Sequence, residues 1–363
     1  MAFSTVFFGV FFGVYAVVLL RLLWPRPGLP LVRGPLPRVS ILVAARNEEA
    51  SIERCLQSLA ALDYPAGQLE ILIGDDASTD DTAAVVRRFI ADKPQFQLLP
   101  IRQRLGTARG KSNALAHLCR AATADYFLLT DADMALPAGW VLGMLAAAPA
   151  GVGVVTGTTT AGGGLFGRLQ GLDWLFGLSL IRLLTDSGLP ITAVGNNMLV
   201  TRAAYESIGG YEALAFSITE DLQLFAQIVA QGWHYRNLID PRVLGVSVPQ
   251  PTVRHLLHQR KRWMKGAGRL PWQLGVLFSS YGAFYTVLGW SSLPALGAVW
   301  AGKLLFQSLF LSITLRQAGH RERLAVLLLY EGYLLVMSVA VLAYTVWPGA
   351  IQWKERRYRW AEG

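Results

Sequence analysis

The sequence predicts an α/β protein with a mainly parallel sheet, carried between apolar segments at the two ends of the chain. Two observations predict this class. From residue 38 to residue 269, short β-branched and apolar runs alternate with amphipathic stretches of helical period. In addition, 53% of the 363 residues are hydrophobic, and the excess is concentrated outside that region. We therefore expect one α/β domain at residues 38–269 between membrane segments.

The first segment, residues 1–24, is expected to be a single membrane anchor. Ala2 to Leu20 carries no charge, is long enough to span a bilayer core at about 1.5 Å per residue, and is followed by Arg21. A cleaved signal peptide would carry basic residues before the apolar run and a small-residue cleavage site after it, and neither pattern is found. Residues 25–37 then form a linker.

The domain opens with a strand at Val39 to Ala45, and the polar residues that follow predict a helix that starts at Asn47. The alternation then continues through strands and helices at residues 69–74 (strand), 82–91 (helix), 96–101 (strand), 111–122 (helix), 126–130 (strand) and 152–157 (strand). Leu165 to Leu184 has one apolar face but is interrupted by charges, which favours a core or interfacial helix over a membrane span.

Residues 270–348 are apolar again and predict two or three membrane helices, followed by a basic tail at residues 349–363. Three crossings would place the basic loop at 316–323 in the cytoplasm and the basic tail outside, and two crossings would reverse both positions. Neither count places both basic segments in the cytoplasm, as the positive-inside tendency prefers. Trp272 to Gly282 is a candidate for a segment that lies flat at the membrane interface, which is one way to remove this conflict.

Two charged residues, Lys303 and Glu331, fall inside these apolar runs, where a charge is costly. A mutual ion pair or a water-facing role is one interpretation. We expect instead that both side chains snorkel toward a helix end.

The net charge of +9 fits a membrane protein better than a nucleic-acid-binding protein. Basic clusters flank the predicted membrane segments, where anionic headgroups would meet them. The sequence contains no nucleic-acid-binding motif and no stripe of basic residues interleaved with aromatic ones. Cys55 and Cys119 match no metal or redox spacing, so we expect buried free thiols.

Acidic residues follow two of the predicted strands. Asp75-Asp76 ends the strand at 69–74, and Asp131-Ala132-Asp133 follows the apolar strand at 126–130. Because ligands bind at the carboxyl edge of parallel strands, these carboxylates should share one crevice. Magnesium and manganese are held by one or two carboxylates plus substrate phosphates, so the second motif predicts a divalent metal that bridges a diphosphate. An enzyme is the leading interpretation.

Three further motifs are open to more than one interpretation. Ala44 to Glu48 brings backbone N–H groups to the sheet edge, which suits a nucleotide, although Asn47 is also a simple helix cap. The glycines before Lys111 resemble a phosphate cradle without P-loop spacing, and a solvated lysine is the alternative. Thr219-Glu220-Asp221 is typical of a helix start, with Thr219 as the cap, but this leaves Asp221 free for a second role.

Taken in order, these motifs resemble those of the membrane-bound members of glycosyltransferase family 2. The resemblance covers residues 39–269 and is carried by Val43 to Glu49, Asp75-Asp76, Gly110 to Leu115, Asp131-Ala132-Asp133, Gly209-Gly210-Tyr211, Thr219-Glu220-Asp221 and Gln259-Arg260-Lys261-Arg262-Trp263. It implies a Rossmann-like GT-A fold, a nucleotide-sugar donor such as a UDP-sugar, a divalent metal (Mg or Mn), and inversion at the anomeric carbon.

On the donor side, the resemblance implies roles residue by residue. Glu48 and Asp76 match positions that hold the base and the ribose. Asp131 and Asp133 match positions that hold the diphosphate and the metal. Lys111 is placed with this donor group.

On the acceptor side, Asp221 matches the general base. Arg260, Arg262 and Trp263 match the Q-x-x-R-W element, which closes over the diphosphate and the acceptor. We expect the two arginines to bind the donor, and Trp263 and Glu220 to contact the acceptor.

A lipid acceptor is favoured, because the single anchor, the short chain and the tail at 353–358 look closer to ceramide glucosyltransferases and related lipid glycosyltransferases. A processive polysaccharide synthase is the alternative, and a non-catalytic membrane protein that keeps the fold is the second alternative. The expected location is a membrane, crossed several times, with the catalytic domain in the cytoplasm; in a bacterium this would be the inner membrane.

Overall fold

The computed structural model describes residues 2–25, 28–32, 34–267, 272–289, 293–347, 351–353 and 356–358. Parts of the predicted linker and most of the predicted basic tail lie outside the described residues. The domain boundaries given above therefore stay predictions.

Helices and strands alternate as the sequence predicts. The helices are α1 (Ala2–Leu23), α2 (Ile52–Ala60), α3 (Thr82–Ile90), α4 (Lys111–Ala121), α5 (Trp140–Ala146), α6 (Leu165–Thr185), α7 (Arg202–Ser207), α8 (Gly210–Ala213), α9 (Glu220–Ala230), α10 (Val253–Ala267), α11 (Trp272–Leu288), α12 (Leu293–Gln317) and α13 (Leu324–Val346). The strands are β1 (Val39–Ala45), β2 (Leu69–Asp75), β3 (Phe96–Pro100), β4 (Tyr126–Asp131), β5 (Met134–Ala135), β6 (Val152–Thr156), β7 (Thr158–Ala161), β8 (Asn197–Thr201), β9 (His234–Asn237), β10 (Leu244–Ser247), β11 (Ile351–Trp353) and β12 (Arg356–Tyr358).

The main sheet has seven strands in the order β3-β2-β1-β4-β8-β6-β9. Strands β3, β2, β1 and β4 are mutually parallel, whereas β8 runs antiparallel to both of its neighbours. The predicted mainly parallel α/β fold is thus confirmed, with one reversed strand. The register sets Ala44 beside Asp131 and Ala45 beside Asp75, so the acidic strand ends meet at one edge.

Both faces of the sheet are covered. In β1, Val39, Ile41 and Val43 belong to one core cluster and Leu42 to the other, because successive side chains of a strand point to opposite faces. This explains why β1 is an unbroken apolar run rather than an alternating one. Cys55 and Cys119 are buried free thiols, as predicted.

Helix α6 lies between the sheet domain and the apolar helices, packing on β7, α12 and α13, and it is not among the described helices that are long and apolar enough to cross a membrane. Its charged residues find partners there. Arg168 forms an ion pair with Glu322, in the loop between α12 and α13. Arg182 donates to Gln317 Oε1 at 3.3 Å, and the Gln317 side chain donates to the Leu22 carbonyl at 2.8 Å. The ends of α1 and α12 and the loop after α12 therefore all lie on the domain side.

Within the described part of the chain, three helical segments are long and apolar enough to cross a membrane: Phe3–Leu23, Ala295–Gln317 and Leu324–Val346. Helix α11, of 17 residues, covers the segment that the sequence marked as possibly interfacial. It packs on α1, where the Phe284 ring lies 4.7 Å from the Phe11 ring. The number of crossings stays a prediction.

The charges inside the apolar helices are buried against each other, so the expectation that they snorkel is wrong. Lys303 on α12 and Glu331 on α13 are 0% and 1% exposed and form an ion pair. Helix α11 adds two tyrosine hydroxyls: Tyr281 donates to Glu331 at 3.2 Å, and Lys303 donates to Tyr285 at 2.9 Å. The Lys303 ammonium also lies 4.1 Å from the Tyr281 ring centre, a cation–π contact. Because these partners come from three helices, the ion pair and its hydrogen bonds join α11, α12 and α13.

This pair generates a stability prediction. Glu331→Gln leaves a buried ammonium without its counter-ion and should lower the free energy of unfolding by about 3 to 5 kcal/mol. The double variant Lys303→Met with Glu331→Leu removes both charges and should recover most of that loss. Thermal unfolding in detergent, with the exposed Glu53→Gln as the matched control, measures both. If Glu331→Gln were as stable as Glu53→Gln, the ion pair would not stabilise the packing of these helices.

Candidate active site

A crevice of about 650 Å³ opens at the carboxyl edge of β1, β2 and β4, where the parallel strands end. Six of the predicted site residues line it: Glu48, Asp76, Lys111, Asp131, Asp133 and Arg262. They come from five separate parts of the sequence, and the sheet register together with the start of α4 and the second half of α10 brings them to one place.

An ammonium group between two carboxylates forms the centre of the site. Lys111 Nζ, at the start of α4, lies 2.6 Å from Asp131 Oδ1 and 3.1 Å from Glu220 Oε1. Burial alone would lower the pKa of Lys111, but the two carboxylates and that of Asp221 outweigh it and raise the pKa above its usual value. Lys111 therefore stays charged. It is the internal counter-ion of these carboxylates, and its role toward the donor stays a prediction.

Asp133 lines the same crevice. Its Oδ2 accepts a hydrogen bond from Ser247 at 3.2 Å, and its carbonyl accepts from the Val248 N–H at 3.1 Å. Burial, with the neighbouring charges of Asp131 and Glu48, raises the pKa of Asp133 to about 7. The crevice thus concentrates carboxylates in a buried place, and a cation there would stabilise their charged form.

The donor set fits a hard divalent cation that shares its coordination with a ligand. Among the described residues, no group of three or more His, Cys, Asp or Glu side chains is arranged to hold a metal ion. Asp131 and Asp133 would supply one or two oxygens, and magnesium or manganese bound in this way takes its other ligands from phosphates and water. The residues present therefore suit such an ion only together with a phosphate-bearing substrate.

The loop after β1 is tied to the loop after β2. Asn47 has a left-handed backbone (φ 51°), and its Oδ1 accepts from the Thr79 N–H at 2.9 Å. The Glu48 N–H donates to Thr82 Oγ1 at 2.7 Å. Helix α2 begins only at Ile52, so the predicted helix start at Asn47 is wrong, and so is the alternative in which Asn47 caps that helix. Its side chain is used instead to hold two crevice loops together.

Asp221 is oriented by two backbone N–H groups rather than by a side chain. Oδ2 accepts from Gly195 at 2.9 Å, and Oδ1 accepts from Leu222 at 2.8 Å. A Cβ at Gly195 would lie 2.9 Å from the Asp221 Cβ, so the close approach requires glycine. Asp221 is not among the residues that line the 650 Å³ crevice, and it is adjacent in sequence to Glu220. The Thr219 side chain makes no capping bond.

Sequence reasoning missed the loop that holds Asp221. Gly195-Asn196-Asn197 leads into strand β8, which begins at Asn197, and both asparagines are buried. Asn196 accepts from Thr130 through its carbonyl and from Thr159 through its side chain, each at 3.0 Å. A glycine followed by two amides before an apolar strand was the available signal, because buried amides must be hydrogen-bonded.

The structure splits the Q-x-x-R-W element. Arg262 lines the crevice and also a small adjoining cavity that contains Glu220. Arg260 instead donates to Asp173 on α6 at 2.5 Å and lies 4.2 Å from the Trp263 ring centre. Residues i and i+2 of a helix point in different directions, whereas i and i+3 share a face. The geometry brings Arg262 to the crevice and turns Arg260 and Trp263 toward α6; their roles stay predictions.

Helix α10, which carries Arg262, is attached to the end of α13. The Tyr344 hydroxyl lies 2.9 Å from His258 Nε2, and Lys261 Nζ donates to the Trp347 carbonyl at 2.7 Å. Lys261 is itself buried. The helix that borders the crevice is therefore joined to an apolar helix at two points.

A mainly parallel α/β sheet with carboxylates at its carboxyl edge, and with apolar helices before and after the domain, is the arrangement expected of a glycosyltransferase of the GT-A type, and the family comparison shows that class. The family model described as glycosyl transferase family 21 matches residues 1–363, so the chain belongs to that family. The predictions of a glycosyltransferase and of this fold are confirmed.

Relatives support the same class. The chain is 31% identical over 272 residues to a beta-monoglucosyldiacylglycerol synthase from Synechocystis sp., covering 70% of this chain and 54% of the relative. It is 27% identical over 233 residues to a poly-beta-1,6-N-acetyl-D-glucosamine synthase from Staphylococcus epidermidis, covering 63% and 54%. The chain thus spans about half the length of the curated relatives it matches.

One solved structure shares the fold over nearly the whole chain. It is the mannosyltransferase PcManGT from Pyrobaculum calidifontis, in complex with GDP-Man and Mn²⁺. The TM-score is 0.55, the sequence identity is 21%, and the alignment covers 95% of this chain and 94% of the other. At this identity the likeness establishes a common fold.

The attachment of α10 generates a pH prediction. Burial and the nearby Arg254, His255 and Lys261 hold the pKa of His258 below its usual value. The unfolded chain therefore takes up the proton at a higher pH than the folded protein does, and acid favours unfolding. Stability should be full above the ordinary imidazole pKa of about 6.5 and should fall as the pH drops toward the lower folded value. His258→Gln should flatten this dependence in thermal unfolding from pH 8 to pH 5, whereas the exposed His234→Gln should not.

Proposed function

We propose that this chain is an inverting, metal-dependent glycosyltransferase that moves a sugar from a nucleotide sugar, such as a UDP-sugar, to a hydroxyl of a membrane lipid. The proposal rests above all on one observation: Asp131, Asp133, Lys111 and Arg262 meet in one crevice. The helices able to span a membrane support a multi-pass protein. We place the crevice on the cytoplasmic side, where nucleotide sugars are made, and in the inner membrane if the cell is bacterial.

The donor would lie along the crevice. Glu48 and Asp76, in the loops after β1 and β2, would hold the base and the ribose. Asp131 and Asp133 would hold the divalent cation, which offsets the negative charge of the diphosphate as it leaves. Arg262 would grip the diphosphate with its planar guanidinium, which can make two parallel hydrogen bonds to a phosphate.

The reaction would need a base for the acceptor. As the acceptor oxygen bonds to the anomeric carbon and the bond from that carbon to the diphosphate breaks, the hydroxyl proton must leave. Asp221 would take it, since a carboxylate within reach is an effective general base. The N–H groups of Gly195 and Leu222 would keep the carboxylate aimed during this transfer.

The product distinguishes the candidate functions. Membranes that contain the full chain are incubated with a panel of labelled nucleotide sugars, and lipid-soluble label is separated from polymer. The proposal expects label in the lipid fraction with one of the sugars. Label retained as long polymer would identify a polysaccharide synthase, the activity named for the S. epidermidis relative. No incorporation from any sugar would favour a non-catalytic protein.

Metal dependence can be tested at Asp133. Asp133→Asn removes a charge that the cation needs, and turnover should fall by about 100-fold or more while the fold survives. The exposed Asp92→Asn removes the same charge elsewhere and serves as the control. Full activity of the Asp133 variant in excess chelator would show that no metal acts here.

Arg260 and Arg262, two residues apart on α10, make a matched pair. Arg262→Ala should weaken donor binding by about 10- to 100-fold, because charge-assisted hydrogen bonds are lost, and Arg262→Lys should rescue only part. Arg260→Ala breaks the ion pair with Asp173 and should lower the free energy of unfolding by about 1.5 to 3 kcal/mol, with donor affinity nearly unchanged. Donor titration together with thermal unfolding measures both; equal losses of donor affinity would restore Arg260 as a donor ligand.

The base assignment can be tested at Asp221. Asp221→Asn should lose about 10² to 10⁴ in turnover with donor binding nearly intact. Gly195→Ala crowds the Asp221 side chain and should also lower turnover. Gly177→Ala on α6 serves as the control, because no atom lies within 4 Å of the added Cβ, and it should leave turnover unchanged. Single-turnover rates and donor titration provide the readout. Wild-type turnover of Asp221→Asn would reopen the search for the base.

A further inference from the structure

A second large cavity, of about 880 Å³, lies at the far end of the sheet from the crevice. It is formed by the end of α1, the last turn of α6, strand β9 and the residues that follow β9. The two cavities share no lining residue. Strand β9 is three positions from β4 in the sheet, so at about 4.8 Å per strand the two sites are about 15 Å apart or more.

The cavity opens where apolar helices end. Leu23 and Trp24, at the end of α1, line it and are 57% and 72% exposed. Gln317, the last residue of α12, lines it as well. Both helices are long and apolar enough to span a membrane, and an exposed tryptophan at such a helix end is typical of the headgroup layer. In a membrane crossed by these helices, the cavity would lie at the depth of lipid headgroups.

The acidic residues in the cavity wall already have partners. Asp240 accepts hydrogen bonds at 3.0 and 3.1 Å from Arg242, which is not part of the lining. Asp186 lies 3.9 Å from the Arg182 guanidinium. The negative charge of Asp240 and Asp186 is therefore already balanced by Arg242 and Arg182. It does not balance the other arginines of the cavity wall.

Two arginines remain to face the cavity. Arg21, in the last turn of α1, and Arg236, on β9, both line it and are exposed. In the part of the chain that the structure describes, neither is paired with a carboxylate. Their guanidinium groups, which are always charged and arranged to bind phosphate oxygens in pairs, give the wall an excess of positive charge.

We infer that this cavity binds the phosphate headgroup of an anionic phospholipid, at a site separate from sugar transfer. Basic pockets at the headgroup level between membrane helices suit anionic lipids, whereas a neutral acceptor lipid has no need of two free cations. Phosphate is the chemistry recognised, and the bilayer at this depth supplies it as lipid. The inference does not depend on the proposed donor, acceptor or base.

Binding of short-chain lipids to the full chain, purified in a neutral detergent, tests the inference. The probes are dioctanoylphosphatidylglycerol, dioctanoylphosphatidylcholine and inorganic phosphate, each titrated to obtain a Kd. Each arginine near an anionic headgroup contributes about fivefold in affinity, so Arg21→Ala with Arg236→Ala should weaken phosphatidylglycerol binding by about 30-fold. Arg21→Lys with Arg236→Lys should keep most of it. Arg87→Ala with Arg120→Ala removes the same charge from exposed positions on α3 and α4 and should match the wild type.

Three outcomes would overturn the inference. Equal binding of phosphatidylcholine and phosphatidylglycerol would mean that charge is not recognised. Equal affinity in the alanine variant and its control would place the lipid elsewhere. Binding of inorganic phosphate as tightly as phosphatidylglycerol would identify a soluble phosphate site instead of a lipid site.

Discussion

The ammonium of Lys111 between Asp131 and Glu220 is the interaction on which the rest of the site depends. It joins the end of β4, the start of α4 and the start of α9, three elements far apart in sequence. Without this cation, the crevice carboxylates would repel one another in a partly buried space, where like charges are costly. With it, the Asp131 carboxylate has a fixed cationic partner at the strand end, and Asp221 follows directly on Glu220, the second partner of that cation.

Much of this arrangement follows from sequence pattern. The carboxylates of Asp76, Asp131 and Asp133 were expected in one crevice because they follow strands of a parallel sheet, and they lie there. Such an argument needs only local pattern and a general rule of topology. The opposite directions of Arg260 and Arg262 could also have been derived, since they are two residues apart on one helix.

Other features depend on partners that no local pattern reveals. The pairing of Lys303 with Glu331 required knowledge that α11 places Tyr281 and Tyr285 beside them. In the same way, Asn47 looked like a helix cap because the Thr79 N–H that it binds lies in another loop. Sequence reasoning fails at long-range hydrogen bonds of polar side chains, because the same side chain can also bond to the backbone next to it, and the sequence does not show which partner it takes.

The attachment of α10 to α13 connects the site to a helix that is long and apolar enough to cross a membrane. Helices accommodate a change in hydrocarbon thickness by tilting. Because His258 and Lys261 contact the end of α13, such a tilt would be passed to α10 and would move Arg262 relative to the strand ends. The crevice and the apolar helices are therefore one connected unit, in which a displacement of α13 would reach the guanidinium of Arg262 through a single helix.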